Sequence, residues 1–161
     1  MFGYLKIKHN AELILDPSEV IFQNSLFKRE NWVNRPYGTE PITIKNAPDL
    51  YGKVVKLIAY CDADHAGDLL TRRSRSGFLI YINNSLIHWM SKRQLSIETS
   101  SYGSEFTSLK QCTEYLRGLR YKLTMMGVPT ELPSYVFGDN KSVLANTSVP
   151  HSALKKKSCS V

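Results

Sequence analysis

The alternation of apolar and polar positions divides the chain at about residue 50. Residues 1–50 are irregular: Tyr4–Lys8 and Glu12–Leu15 read as short strands or the frayed end of a helix. Asn31–Tyr51 carries Pro36, Gly38, Pro41 and Pro48 and reads as a connection. From Lys53 the pattern sharpens. Lys53–Asp62 (KVVKLIAYCD) is an apolar, β-branched run ending in an acid, as a buried strand does. A polar loop, Ala63–Ser76, precedes Gly77–Ile82 and Leu86–Ser91, two strands joined by Asn83-Asn84-Ser85, where asparagine tolerates positive φ. A helix is predicted over Ser101–Met126 from the row Leu109, Cys112, Leu116, Leu119 and Leu123. Ser100 or Ser101 caps its start, Gly127 closes it and Pro129 prevents continuation. Tyr135–Gly138 reads as a short buried strand, and Asp139-Asn140 caps a short helix near Lys141–Asn146. The tail His151–Val161 is basic and shows no complete element.

The order strand, strand, strand, helix, strand, helix implies an α/β fold. Its mixed sheet is an antiparallel three-strand meander, with a fourth strand set parallel by the helical crossover. The expected division is a linker over 1–50 and a folded domain over 51–161.

Composition narrows the class. The chain has 161 residues, 42% of them hydrophobic and 11% aromatic, enough for a core. No apolar run reaches the roughly 20 residues of a membrane span, and MFGYLKIKHN lacks a signal-peptide core. Cys61, Cys112 and Cys159 form no C-x-x-C pair, which argues against a disulfide framework or zinc knuckle. A soluble protein of a reducing compartment is expected, with no membrane partner. Residues 1–50 are net neutral, so the whole net charge of +7 lies in 51–161. That asymmetry suits a polyanion partner, and equally suits a basic domain kept soluble by its charge. There is no G-x-S-x-G elbow, P-loop or H-E-x-x-H.

Three acids stand out by position. Asp62 and Asp139 end the first and fourth strands, and adjacent parallel strands bring such ends to one sheet edge, where open α/β sheets place ligands. Glu105 lies four residues before Leu109 and so extends the apolar row toward the helix start. An inward carboxylate costs several kcal/mol unless its charge is compensated. Three together resist joint ionisation without a cation, and hard divalent ions prefer such oxygens. Singly, each acid also reads as an ordinary turn, cap or first-turn residue. Asp64 alternates with Asp62 and is a candidate auxiliary ligand; His65 reads as a loop residue and Asp68 as solvated.

Four segments then carry a family resemblance: YCDADHAGD at Tyr60–Asp68, TRRSRSGFLIYINNSLIHWMSKRQ at Thr71–Gln94, ETSSYGSEFTSL at Glu98–Leu109 and VFGDNKSV at Val136–Val143. In that order and spacing they resemble the ribonuclease H region of copia-type retrotransposon Pol polyproteins, over about Tyr51–Val161. Residues 1–50 resemble the segment trailing the reverse transcriptase. The resemblance implies a ribonuclease H-like fold that cleaves the RNA strand of RNA–DNA hybrids with two Mg²⁺ or Mn²⁺ ions. Asp62, Glu105 and Asp139 match the first three metal-binding acids. It implies a partner in the reverse transcriptase region of the same polyprotein and a cytoplasmic, virus-like-particle or nuclear setting. The family's fourth acid falls near Ser160, and its closing helix is not legible, so a C-terminally incomplete domain is expected. His151 matches a histidine that assists product release in some relatives, and reads more simply as a loop residue.

Arg72, Arg73 and Ser74, then Lys92 and Arg93, lie in loops flanking the proposed edge and are candidate nucleic-acid contacts, with Asn140. Lys155–Lys157 reads as a solvated tail. Trp89 and Tyr81 are expected in the core, as are Cys61 and Cys112. The expectation is a metal-dependent endonuclease. The alternatives are a catalytically dead nucleic-acid-binding remnant lacking the fourth acid, and a translated fragment with no stable fold.

Overall fold

The computed structural model describes residues 12–23 and 44–148. Its elements are β1 (Leu57–Asp64), β2 (Arg75–Ile82), β3 (Ser85–Arg93), α1 (Ser101–Met125), β4 (Tyr135–Phe137) and α2 (Lys141–Ser148). The strand order is β3-β2-β1-β4, with β1 antiparallel to β2 and parallel to β4. This is the α/β arrangement with a mixed sheet that the element order predicts.

Each element follows from local chemistry. Alternation in β1 sends Leu57, Ala59 and Cys61 into the core, where Phe78 and Ile80 of β2 meet Cys112, Leu116 and Leu123 of α1. Burying each large aliphatic there stabilises the fold by ~1.5–3 kcal/mol. The turn between β2 and β3 is two residues long, Asn83 and Asn84, because Ser85 already pairs with Ile82. Asn83 takes a φ of +52°, and its Oδ1 accepts the Lys56 N–H at 2.9 Å, so an asparagine is suited on both counts. Ile87 is the extra residue of a bulge between Ile80 and Tyr81.

Ser100 caps α1, its hydroxyl accepting the Gly103 N–H at 3.2 Å. Gly127 ends the helix with a φ of +75°, and a Cβ there would lie 3.1 Å from the Asp49 carbonyl oxygen. The connection to β4 is tied back to α1 by Arg120, whose guanidinium donates to Thr130 Oγ1 and to the Glu131 carbonyl. Asn140 caps α2, its Oδ1 accepting the N–H groups of Ser142 and Val143.

Several expectations are corrected. Glu12–Leu15 forms neither strand nor helix. The stretch following it packs on the sheet instead. Asn83 and Asn84 donate to the carbonyls of Pro17 and Ser18, Lys56 holds Glu19 at 2.8 Å, and the Phe22 ring lies 4.5 Å from that of Tyr135. Trp89 is 62% exposed rather than buried. It pairs with Leu79 across the strands and so faces away from α1. Tyr81 is half-buried, edge-on to Tyr60. Tyr4–Lys8, His151, Lys155–Lys157, Cys159 and Ser160, and with them the fourth acidic position and any closing helix, lie outside the described residues.

Candidate metal centre and its surroundings

Sheet register delivers two of the acids. Tyr60 of β1 pairs with Phe137 of β4 in parallel, so Asp62, still within β1 and paired with Gly77, lies level with Asp139, just past the end of β4. Glu105 comes from the second turn of α1, which crosses β1 and β2. One carboxylate oxygen of each residue can be chosen so that all three lie within 4.8 Å of one another. Among the described residues this is the metal-capable cluster, and the sequence-predicted trio converges.

The electrostatics are those of a site short of positive charge. Burial, followed by repulsion from Asp62 and Asp139, pushes the Glu105 carboxyl up to about 7; the Ala63 N–H pulls it the other way. Glu105 is the fifth residue of α1, past the first turn, so the helix macrodipole adds little compensation. The Ala63 N–H also donates to Asp62 Oδ1 at 2.8 Å. A hard divalent cation fits this donor set: three carboxylates, all oxygen ligands, at separations an ion can span.

The surroundings divide the remaining candidates. Asp64 is exposed and folds over Gly67, where a Cβ would clash with its carboxylate, and it is not in the cluster. Asp68 is not simply solvated. Its carboxylate accepts Arg93 Nη1 at 2.8 Å and the N–H groups of Leu70 and Thr71. The Arg93 bond, first, and the Thr71 contacts hold it well below the usual carboxylate range. Lys92 and Arg72 are exposed at the same end of the sheet, Arg73 is half-buried, and Arg93 is shared with Asp68. Ser74, expected as a nucleic-acid contact, is placed differently. It is fully buried, its hydroxyl accepting the Ala66 N–H at 3.0 Å, so it shapes the loop rather than facing a ligand. Asn140 commits its Oδ1 to the α2 cap. Cys112 is fully buried, and Cys61 is buried with its thiol directed at the Phe137 carbonyl oxygen.

Sequence reasoning missed the polar layer beneath the acids. Ser76, Gln94, Ser104 and Ser108 are buried at 1% exposure or less. The signal was present: Ser104, Ser108, Cys112 and Leu116 recur every four residues, so the small residues continue the buried stripe to the helix start.

Comparison with known proteins places this geometry in context. Over 106 residues, 65% of its length, the chain is 32% identical to the retrovirus-related Pol polyprotein from transposon RE2 of Arabidopsis thaliana. It is 31% identical to that from transposon RE1 of the same plant over an equal span. The chain is similar to retrovirus-related Pol polyproteins of plant transposons. The match spans 7% of the length of each of these Pol polyproteins. A shorter match, 42% identical over 59 residues, is to secreted RxLR effector protein 161 of Plasmopara viticola, covering 37% of the chain and 42% of the effector. No protein-family model matches the chain, and no solved structure matches it significantly. Among the described residues no helix is long and apolar enough to cross a membrane.

Proposed function

We propose that this chain is a ribonuclease H-like domain that hydrolyses the RNA strand of RNA–DNA hybrids within a retrotransposon Pol polyprotein. The observation that carries the reading is the convergence of Asp62, Glu105 and Asp139, from three separate elements, within 4.8 Å. These carboxylates would hold Mg²⁺ or Mn²⁺. Two such ions supply charge neutralisation and Lewis-acid activation for in-line phosphodiester chemistry. Asp62 and Asp139, at the open sheet edge, present oxygens to solvent and substrate, while the half-buried Glu105 closes the site from the helix side. Arg72 and Lys92, exposed at the same end, would neutralise flanking phosphates. The reverse transcriptase region of the same polyprotein would share the substrate, in a cytoplasmic virus-like particle or in the nucleus.

Cleavage of a labelled RNA–DNA hybrid with millimolar Mg²⁺ or Mn²⁺ tests this, with Asp139→Asn as control. The expected result is metal-dependent cleavage by the wild type and a loss of at least about a hundredfold in the variant, with hybrid binding retained. A folded wild type that binds hybrid but cleaves none would favour the second reading, a binding remnant. Ser160, standing where the resemblance calls for a fourth acid, supports that alternative.

A further inference from the structure

The buried polar layer beneath the acids is costly unless it does something an apolar core would not. Ser108 Oγ donates to the carbonyl oxygen of Asp62 at 2.7 Å, with the Gly77 carbonyl a second acceptor at 3.3 Å. Gln94 Nε2 donates to the Ser104 carbonyl at 2.9 Å and to Ser76 Oγ at 3.0 Å. Gln94 is itself anchored by its backbone N–H, which donates to the Ser74 carbonyl. The shortest bond of Ser108 therefore ends at the peptide of Asp62, and that of Gln94 at the residue immediately before Glu105.

We propose that Ser108 and Gln94 are positioning residues that set the height of Glu105 relative to Asp62. This deepens the metal-binding reading above and rests on it. Ser108 lies three residues, about 4.5 Å of helix rise, beyond Glu105. Its bond fixes α1 along its own axis against β1 at the strand residue that carries the facing carboxylate. Gln94 fixes the same helix across the sheet, through β2. Apolar contacts between Cys112 or Leu116 and the sheet hold the layers together without a preferred direction, whereas these hydrogen bonds favour one setting of helix against strand. Mg²⁺ tolerates little displacement from that setting, because it demands near-ideal octahedral distances, whereas Ca²⁺ accepts longer and irregular ones.

The test is a Mn²⁺ titration of the full chain, followed by electron paramagnetic resonance of free Mn²⁺, with Mg²⁺ and Ca²⁺ as competitors. Ser108→Ala and Gln94→Met each remove one attachment. Thr113→Ala, which removes a hydroxyl bonded to the Lys110 carbonyl within α1, is the control. Circular dichroism establishes folding of each; should S108A not fold, Q94M decides. Loss of a group bonded directly to a metal ligand typically weakens binding 10–100-fold, and these attachments, which act through the backbone, belong at the low end. The expected result is about tenfold weaker Mn²⁺ binding in S108A and Q94M, a larger loss for Mg²⁺ than for Ca²⁺, and a change within about twofold in T113A. Folded S108A and Q94M with wild-type affinity, or an equal loss in T113A, overturn the positioning role alone. A wild type that binds no more Mn²⁺ than an Asp62→Asn/Asp139→Asn variant overturns the metal-binding reading, and the positioning role with it.

Discussion

Replacing Glu105 with glutamine should stabilise the metal-free protein at pH 8. The substitution is nearly isosteric and removes one charge from a half-buried position flanked by two other carboxylates. In the folded protein the Glu105 carboxyl is pushed from 4.5 up to about 7 by burial first and by Asp62 and Asp139 second. The folded state therefore holds this proton more tightly than the unfolded chain. Its contribution to stability is fully present below pH 4.5 and is lost as pH rises through about 7. The linkage is ~3 kcal/mol at 1.36 kcal/mol per pH unit, and solvent reaching the site reduces it to ~1–2 kcal/mol. For a domain of this size that is ~5–10 °C in Tm. Thermal melts at pH 5 and pH 8 in chelator should show E105Q above the wild type at pH 8 and near it at pH 5. Millimolar Mn²⁺ should then raise the wild type at pH 8 and move E105Q much less, since a cation compensates the charge that the variant lacks. An E105Q protein less stable than the wild type at pH 8 without metal would refute this account of the site.

Other perturbations test the scaffold. Ile80→Ala, at a fully buried β2 position facing α1, should cost ~2–5 kcal/mol in urea unfolding; a loss below ~1 kcal/mol would contradict the packing described. Asn83→Ala should cost ~1–2 kcal/mol, because alanine is strained at a φ of +52° and loses the bond from Lys56, and Asn83→Gly should cost less. Phe22→Ala should speed proteolysis between residues 12 and 23 and cost ~1–3 kcal/mol, since that ring packs on Tyr135 and Phe137; unchanged digestion would mean the segment does not hold to the sheet in solution.

Much of the scaffold was legible in local pattern. The apolar run ending at Asp62, the twin asparagines and the glycine–proline stop at Gly127 and Pro129 each specify conformation through nearest neighbours. Element bounds shifted by a few residues, as at β1, which starts at Leu57 rather than Lys53, because pairing partners rather than composition end a strand. Side-chain environment was less legible. Trp89 reads as core by composition, yet its face depends on strand register and on which face carries α1. Ser74 and Asp68 read as exposed polar residues, yet both are committed to loop hydrogen bonds that join distant positions.

The sequence by itself determined the order of elements, the basic bias of residues 51–161 and the identity of the three acids, late in β1, just past β4 and near the start of α1. These are local properties, set by residue type and spacing along the chain. Only the tertiary structure decided the parallel β1–β4 register that sets Asp62 level with Asp139, and the bonds from Ser108 to the Asp62 carbonyl and from Gln94 to the Ser104 carbonyl that tie α1 to the sheet. The two hydrogen bonds span 10 and 46 residues of chain, and the β1–β4 pairs span 77. Their geometry is set by how whole elements pack, and periodicity along a single strand or helix carries no record of it.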